Sequence, residues 1–138
     1  MIERIKPPEL ARPSGFAHAV VVTGRTVFLA GQTALDADGR IVPGGLAVQF
    51  ERALQNLLVA LRAAGGGPEH LAQLTIYIVD MDDYRARARE IGAVWQRLVG
   101  RQYPATAGIG VARLWDVEAL VELQGSAVLP ADDRAGEG

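Results

Sequence analysis

Short β-branched runs separated by turn-forming residues make up the first third of the chain. Residues 18–23 and 26–31 are apolar runs divided by Gly24 and Arg25, a pair that suits a tight hairpin turn. A second turn signal, rich in aspartate and glycine, covers residues 36–39. This part of the chain is therefore predicted to consist of strands and turns.

Helical periodicity begins at Leu46, where apolar residues recur every three or four positions. Residues 65–67 are glycines followed by proline, so the first helix is predicted to end there. These glycines follow a helix instead of leading from a strand into one, which argues against a phosphate-binding loop. A second helix is predicted next, capped by Asp82 or Asp83. The two apolar stripes are Leu46, Phe50, Ala53, Leu54, Leu57 and Leu61 in the first helix, and Tyr84, Ala88, Ile91, Trp95 and Leu98 in the second.

The second half of the chain adds strands between and after these helices. Residues 74–79 are almost continuously apolar, as expected of a strand covered on both faces. Two further strands are predicted near 107–112 and 119–128. The order of elements indicates an α+β fold with two helices on one face of a sheet. A single domain is predicted over 1–130, followed by a flexible polar tail at 131–138.

Two helices on one face leave the other face of the sheet uncovered. The strands carry more apolar surface than two helices are expected to cover, and exposed apolar patches of this kind mark association surfaces. We therefore expect copies of the chain to associate through the sheet. The residues concerned are Val20, Val22, Leu29, Ile76, Ile109, Val111, Val121 and Leu123.

Composition removes several classes of chemistry. The 138 residues include no cysteine, only His18 and His70 as histidines, and Lys6 as the only lysine. Disulfides, thiolate metal sites and histidine-rich metal clusters are thereby excluded, and Schiff-base catalysis is disfavoured. The net charge of −2 gives no indication of nucleic acid or anionic lipid as a partner. No apolar run approaches the roughly 18 residues of a membrane span. We expect a cytoplasmic protein without a cofactor or a bound metal.

Glu122 is the leading candidate for chemistry. It alternates with Val121 and Leu123 in the last predicted strand, so it shares the opposite face of that strand with Gln124. A carboxylate buried in an apolar strand suits general acid/base catalysis. A carboxylate on a solvent-facing strand surface needs no function, and the residues alone favour that simpler interpretation.

The other polar groups have structural explanations. Asp80, Asp82 and Asp83 lack the length and ligand spacing of a calcium loop, so helix capping is the preferred interpretation. His18 begins a strand and is expected to line a surface or an interface. Five arginines of the second helix region could form an RNA-binding stripe, but no aromatic residues interleave them and a solvated helix face is preferred. They are Arg85, Arg87, Arg89, Arg97 and Arg101.

From about Gly15 to Val128, blocks of the sequence resemble the YjgF/Rid family, the reactive intermediate deaminases also named endoribonuclease L-PSP proteins. No single block is specific, but their order and spacing together carry the resemblance. It implies a chorismate-mutase-like single domain with a mixed six-stranded sheet and two helices on one face. It also implies a barrel-like homotrimer with clefts between subunits. The blocks are residues 15–20, 27–32, 55–57, 63–65, 80–84, 103–105 and 121–123.

The resemblance also implies where a site would lie. Glu122 matches the glutamate that positions water in the family, and Thr106 stands where its deaminases carry an arginine that clamps the substrate carboxylate. Loss of a bidentate charged contact costs a few kcal/mol, so 2-imino acids are expected to bind weakly. Gln124 replaces a second family glutamate. The other substrate-binding residues implied are Phe16, Ala30, Gly31, Ala107 and Gly108.

Three functional hypotheses follow from the residues and the resemblance. The first is a hydrolase that deaminates an imine or enamine metabolite by addition of water assisted by Glu122. The second is a homotrimer that binds a metabolite or regulates a partner without turnover. The third is an RNA endonuclease or translation inhibitor, against which the net charge and the absence of a His/Lys catalytic pair argue.

Overall fold

Six strands and three α-helices follow one another along residues 1–132, the part of the chain described by a computed structural model. Most of the predicted tail, from 133 onward, lies outside the described residues. A short 3-10 turn, Pro68–His70, precedes the fourth strand. The strands are β1 (Ile2–Ile5), β2 (Ala19–Val22), β3 (Arg25–Gln32), β4 (Leu71–Ile78), β5 (Ala105–Gly110) and β6 (Val121–Leu129). The helices are α1 (Leu46–Ala63), α2 (Met81–Ala86) and α3 (Ala88–Leu98).

The strands form two sheets, which corrects the prediction of one six-stranded sheet. Strands β3, β6, β4 and β5 lie side by side in that order, and β1 pairs separately with β2. The larger sheet is mixed, as predicted, because β4 and β5 run parallel whereas β6 is antiparallel to both of its neighbours. One isolated bridge between Ala17 and Ala105 connects the segment before β2 to β5.

The predicted hairpin at Gly24 is wrong. Strand β2 pairs with β1 and β3 pairs with β6, so the two runs on either side of Gly24 belong to different sheets. Gly24 has φ +142°, and a Cβ built on it would lie 2.1 Å from the carbonyl oxygen of Leu129. A glycine is required here because the backbone lies very close to the end of β6. Local turn signals do not distinguish such a close approach from a hairpin.

The second predicted turn is confirmed. The Asp36 carboxylate accepts hydrogen bonds from the backbone N–H groups of Arg40 and Asp38 at 3.0 and 2.9 Å. The bond from Arg40 is the main reason that the pKa of Asp36 lies below its ordinary value. Gly39 completes the turn with φ +78°.

The first helix matches its predicted stripe. All six stripe residues of α1 are buried against the sheet, and the helix ends just before Gly65, which has φ +97°. The second predicted helix is instead divided at Arg87 into α2 and α3. Its cap is also corrected, because the carboxylate of Asp80, and not that of Asp82 or Asp83, accepts a 3.0 Å hydrogen bond from the Asp83 N–H. Because Asp80, the residue before α2, caps the helix, the Asp83 carboxylate can pair with Arg87, whose Nε lies 2.8 Å from Oδ1 of Asp83.

The helices cover one face of the larger sheet and leave the other bare. Leu29, Ile76, Val121 and Leu123 point into the core beneath the helices, so they do not contribute to the uncovered apolar surface predicted for them. Ile109, by contrast, lies on the bare face and is 44% exposed, as predicted, and the Phe28 side chain on the same face is 86% exposed. No helix among the described residues has the length and apolar character needed to cross a membrane.

Candidate functional site

Glu122 lies on the bare face of the sheet, close to Gly31. The carboxylate is half-buried, and a Cβ built on Gly31 would lie only 2.9 Å from the carboxyl carbon of Glu122. Strand β3 carries one extra residue between Leu29 and Gln32 relative to β6, so Ala30 and Gly31 lie in a β-bulge. Bulges re-aim side chains beside functional sites, and this one brings bare backbone against a carboxylate.

Two polar neighbours complete this cluster. Tyr77 on β4 lies opposite Glu122 in the strand register, and its hydroxyl donates a 3.0 Å hydrogen bond to the side-chain oxygen of Gln124. Gln124 is thereby held beside Glu122 on the same face. We call Gly31, Tyr77, Glu122 and Gln124 the Glu122 cluster. It places one carboxylate, one phenol and one amide at the surface of a rigid sheet.

Thr106 lies on the opposite face of the same sheet. It is level with Leu74, which points beneath the helices, and β4 separates β5 from β6. Gly125 is level with Thr106, so two strand spacings and the three-residue offset from Gly125 to Glu122 put the two backbones about 14 Å apart. The Thr106 hydroxyl donates a 2.9 Å hydrogen bond to the carbonyl oxygen of Pro104, so its proton is already engaged within the chain. One copy of the chain does not bring Thr106 and Glu122 into a common cleft.

Thr106 instead lines a cavity of about 340 Å³ between the helices and the edge of the sheet. None of the side chains around this cavity, all within the described part of the chain, carries a charge. Tyr84 contributes to its wall, and burial raises the pKa of this tyrosine to about 12. Trp95 is buried there, and its indole N–H has no hydrogen-bond partner among residues 1–132. We call this space the Thr106 cavity.

The remaining predicted site residues are distributed over both faces. Gly108 faces the helices, because a Cβ built on it would contact Ile78 at 3.6 Å. Ala107 alternates with it and is exposed on the bare face, where Ala30 is exposed too. Phe16 belongs to the segment before β2 and lies on neither face of the larger sheet. It is half-buried and packs edge-on against the ring of His18, with 5.1 Å between ring centroids.

The preferred explanations of the other charged groups agree with the contacts. Arg87 pairs with Asp83 and Glu90, and Arg97 pairs with Glu51, so both arginines are engaged at the helix surface. His18 directs Nε2 at the carbonyl oxygen of Ala11 at 2.7 Å, which requires that nitrogen to carry the proton. In residues 1–132, no three acidic or histidine side chains form a group that could hold a metal ion.

Tyr77 is the member of the Glu122 cluster that the sequence interpretation missed. It lies inside the apolar run 74–79, which predicts a strand covered on both faces; that prediction is wrong, because the face that carries Tyr77 is bare. The polar hydroxyl within that run was the available signal, since buried tyrosines require a hydrogen-bond partner. Only the register of β4 against β6 shows that this partner is Gln124 and that Glu122 is next to it.

The fold is an α+β fold in which helices cover one face of a mixed sheet and a carboxylate cluster lies on the other. The family model described as endoribonuclease L-PSP matches residues 9–129. The chain therefore belongs to this family, the YjgF/Rid proteins, as its sequence blocks indicated.

Individual relatives agree with this assignment. The RutC family protein UK114 of Drosophila melanogaster is 33% identical over 121 residues, covering 87% of this chain and 84% of its own length. The 2-iminobutanoate/2-iminopropanoate deaminase of Capra hircus is 31% identical over 115 residues, covering 83% and 79%. The crystal structure of a Rid family protein of unknown function, YyfB from Yersinia pestis, has a TM-score of 0.80 at 36% identity and covers 93% and 98%.

Proposed function

We propose that this protein hydrolyses an imine or enamine of a small metabolite and that Glu122 is its acid/base group. The observation that carries the proposal is the approach of the Glu122 carboxylate to the bare backbone of Gly31. A water molecule or a substrate can reach the carboxylate there, because no side chain of residue 31 covers it. The activity named for the Capra hircus relative, deamination of 2-iminobutanoate and 2-iminopropanoate, belongs to the same class of reaction.

The proposed reaction adds water to a C=N bond and releases ammonia. Glu122 takes a proton from water while the oxygen attacks the imine carbon, and returns this proton to the imine nitrogen, which gives a neutral carbinolamine. In the collapse of the carbinolamine, Glu122 takes the hydroxyl proton as C=O forms and delivers it to the amine as the C–N bond breaks. Ammonia leaves, the carboxylate is regenerated and no redox partner is consumed. Tyr77 and Gln124 would orient the water through their hydroxyl and amide groups.

The surroundings of Thr106 support a neutral substrate. In the resemblance this position belongs to the arginine that clamps a carboxylate, whereas Thr106 donates its proton to Pro104 within the chain. The Thr106 cavity has no charged side chain with which to stabilise a substrate carboxylate. Placing an unpaired carboxylate in such a cavity costs several kcal/mol. We therefore propose a neutral or amide-like imine as the substrate in place of a 2-imino acid.

A homotrimer would allow Glu122 and Thr106 to share one cleft although they are separated within a single chain. Glu122 and Thr106 lie on opposite faces of one sheet, so a shared cleft requires Glu122 of one subunit and Thr106 of another. The exposed Phe28 ring, on the same face as Glu122, supplies apolar surface for such an interface. We propose the trimer with intersubunit clefts on this basis, and light scattering of the intact protein should give three times the chain mass.

The test is release of ammonia from imines generated in situ, one a 2-imino acid and one its carboxamide. We expect the wild type to favour the carboxamide and Glu122→Gln to lower the rate by about 100-fold or more, the usual contribution of an acid/base group. Glu118→Gln is the matched control, because Glu118 is exposed before β6 and, within residues 1–132, only its backbone carbonyl is engaged, by Gln49. Background rates for both the wild type and Glu122→Gln would contradict hydrolysis and leave a binding protein.

Thr106→Arg tests the substrate class separately. If the missing arginine sets the preference, this variant should gain turnover of the 2-imino acid while losing turnover of the carboxamide. A wild type that already prefers the 2-imino acid would contradict the neutral substrate without affecting the role of Glu122.

A further inference from the structure

A second groove lies at the N-terminal end of the molecule, apart from the Glu122 cluster. Its volume is about 830 Å³, within the range of small-molecule sites. Three separate segments form its walls, namely residues 4–8, residues 10–17 and residues 101–103. We call it the N-terminal groove. Neither Glu122 nor Thr106 lines it.

Charge distinguishes this groove from the rest of the surface. Four basic side chains line it and no acidic one does, although the whole chain has a net charge of −2. Three are exposed, and within the described residues none of these three has a hydrogen bond or an ion pair. Arg87 and Arg97 are paired with carboxylates, but within residues 1–132 Arg85 and Arg89 are not. The convergence of four basic side chains around one groove is therefore what distinguishes it. The four are Arg4, Lys6, Arg12 and Arg101.

The groove is also preorganised. The Nε–H of Arg4 donates a 2.9 Å hydrogen bond to the carbonyl oxygen of Tyr103, which fixes this half-buried guanidinium and leaves its two terminal nitrogens without a partner in residues 1–132. The hydrogen bond from His18 to the Ala11 carbonyl holds the wall that carries Arg12. Phe16 packs against His18 and gives the groove an aromatic surface. A bound ligand would therefore lose little free energy in ordering Arg4 and Phe16, whereas the exposed Lys6, Arg12 and Arg101 side chains would be ordered on binding.

Like charges that converge in a cleft repel one another, and an anion removes that repulsion. Guanidinium groups are suited to this task because their N–H donors match carboxylate and phosphate oxygens in pairs. We propose that the N-terminal groove binds a small molecule through a phosphate or carboxylate group, with an apolar or planar part against Phe16. The groove contains no member of the Glu122 cluster, although it shares Tyr103 with the Thr106 cavity and includes Phe16, which the resemblance links to the substrate; anion binding there does not depend on imine hydrolysis.

Isothermal titration calorimetry of the full chain with inorganic pyrophosphate and with citrate tests the proposal and separates phosphate from carboxylate recognition. We expect saturable binding of at least one of them to the wild type. The double variant Arg12→Gln/Arg101→Gln should weaken it by about tenfold for each arginine removed, the usual result of losing a charge-assisted contact. Arg85→Gln/Arg89→Gln is the matched control, because both are exposed helix arginines outside the groove.

The control double variant should bind like the wild type, and circular dichroism should show that both double variants remain folded. Absence of saturable binding of both anions to the wild type would overturn the proposal. Equal losses in the two double variants would also overturn it, since they would show only a response to net charge. Binding restricted to a single-stranded RNA oligonucleotide would replace the small anion by a nucleic acid. Ammonia release should be unchanged in Arg12→Gln/Arg101→Gln, so failure here and failure of the hydrolase proposal are distinguishable.

Discussion

On β6, successive residues alternate between two environments. Val121 and Leu123 are fully buried beneath the helices, whereas Glu122 is half-buried and Gln124 is exposed on the bare face. The covered face consists of aliphatic contacts, whereas the bare face around Glu122 carries polar side chains in cross-strand register. Stability and chemistry are therefore separated across a single strand. Substitutions one residue apart should therefore affect different properties, namely stability on the covered face and activity on the bare face.

The largest expected effect is on the covered face. Leu123→Ala removes a fully buried side chain and should lower the free energy of unfolding by about 2–5 kcal/mol. Gln124→Ala, the matched neighbour, loses one exposed hydrogen bond with Tyr77 and should cost about 1 kcal/mol or less. Urea denaturation at one fixed protein concentration measures both, because any assembly makes stability depend on concentration. Equal losses would show that both faces contribute to a core.

This separation explains how much the sequence alone could reveal. The stripe of α1 and the alternation of faces along β6 follow from periodicity, because each depends only on neighbours along the chain; which face of β6 the helices cover does not. The family follows from ordered sequence blocks and is confirmed by the family model over 9–129, whereas the role of Glu122 stays a prediction. The pairing of β2 with β1 could not be predicted, because a local Gly24-Arg25 signal contains no information about which distant strand supplies the hydrogen bonds.

The site shows the same limit. Alternation placed Glu122 and Gln124 on one face, and the register confirms it. Tyr77, the bulge at Gly31 and the position of Thr106 on the other face depend on how β4, β3 and β5 align with β6. The N-terminal groove depends on three segments that are distant in sequence, so its four basic side chains gave no local signal.

A second prediction concerns the pH dependence of the covered face. Tyr84 packs near Phe50, and burial raises its pKa from 10.0 to about 12. The folded state therefore holds this proton more tightly than the unfolded state. The resulting stability is fully present below pH 10 and is lost as the pH rises from 10 towards 12, by up to about 1.4 kcal/mol per pH unit.

Urea denaturation of the wild type and of Tyr84→Phe between pH 9 and pH 11.5 measures this effect. The wild type should lose more stability than the variant over that interval, because phenylalanine has no proton to release. Equal losses of stability in the wild type and the variant would contradict this prediction. They would show that the pKa of Tyr84 is the same in the folded and the unfolded state.

The smallest expected change in the free energy of unfolding is on the bare face. A substitution there should lower activity and leave stability almost unchanged. The Cβ of Gly31→Ala would lie 2.9 Å from the Glu122 carboxyl carbon, so the carboxylate must move. It is the far end of a flexible side chain and moves at little cost, hence the free energy of unfolding should change by less than about 0.5 kcal/mol. Displacement of an acid/base group by a fraction of an ångström should still lower ammonia release by about tenfold, equivalent to about 1.4 kcal/mol. Gly45→Ala is the control, since a Cβ there meets nothing within 4 Å and should leave activity unchanged. A Gly31→Ala variant with wild-type turnover would show that the Glu122 carboxylate does not act from the position it occupies beside Gly31.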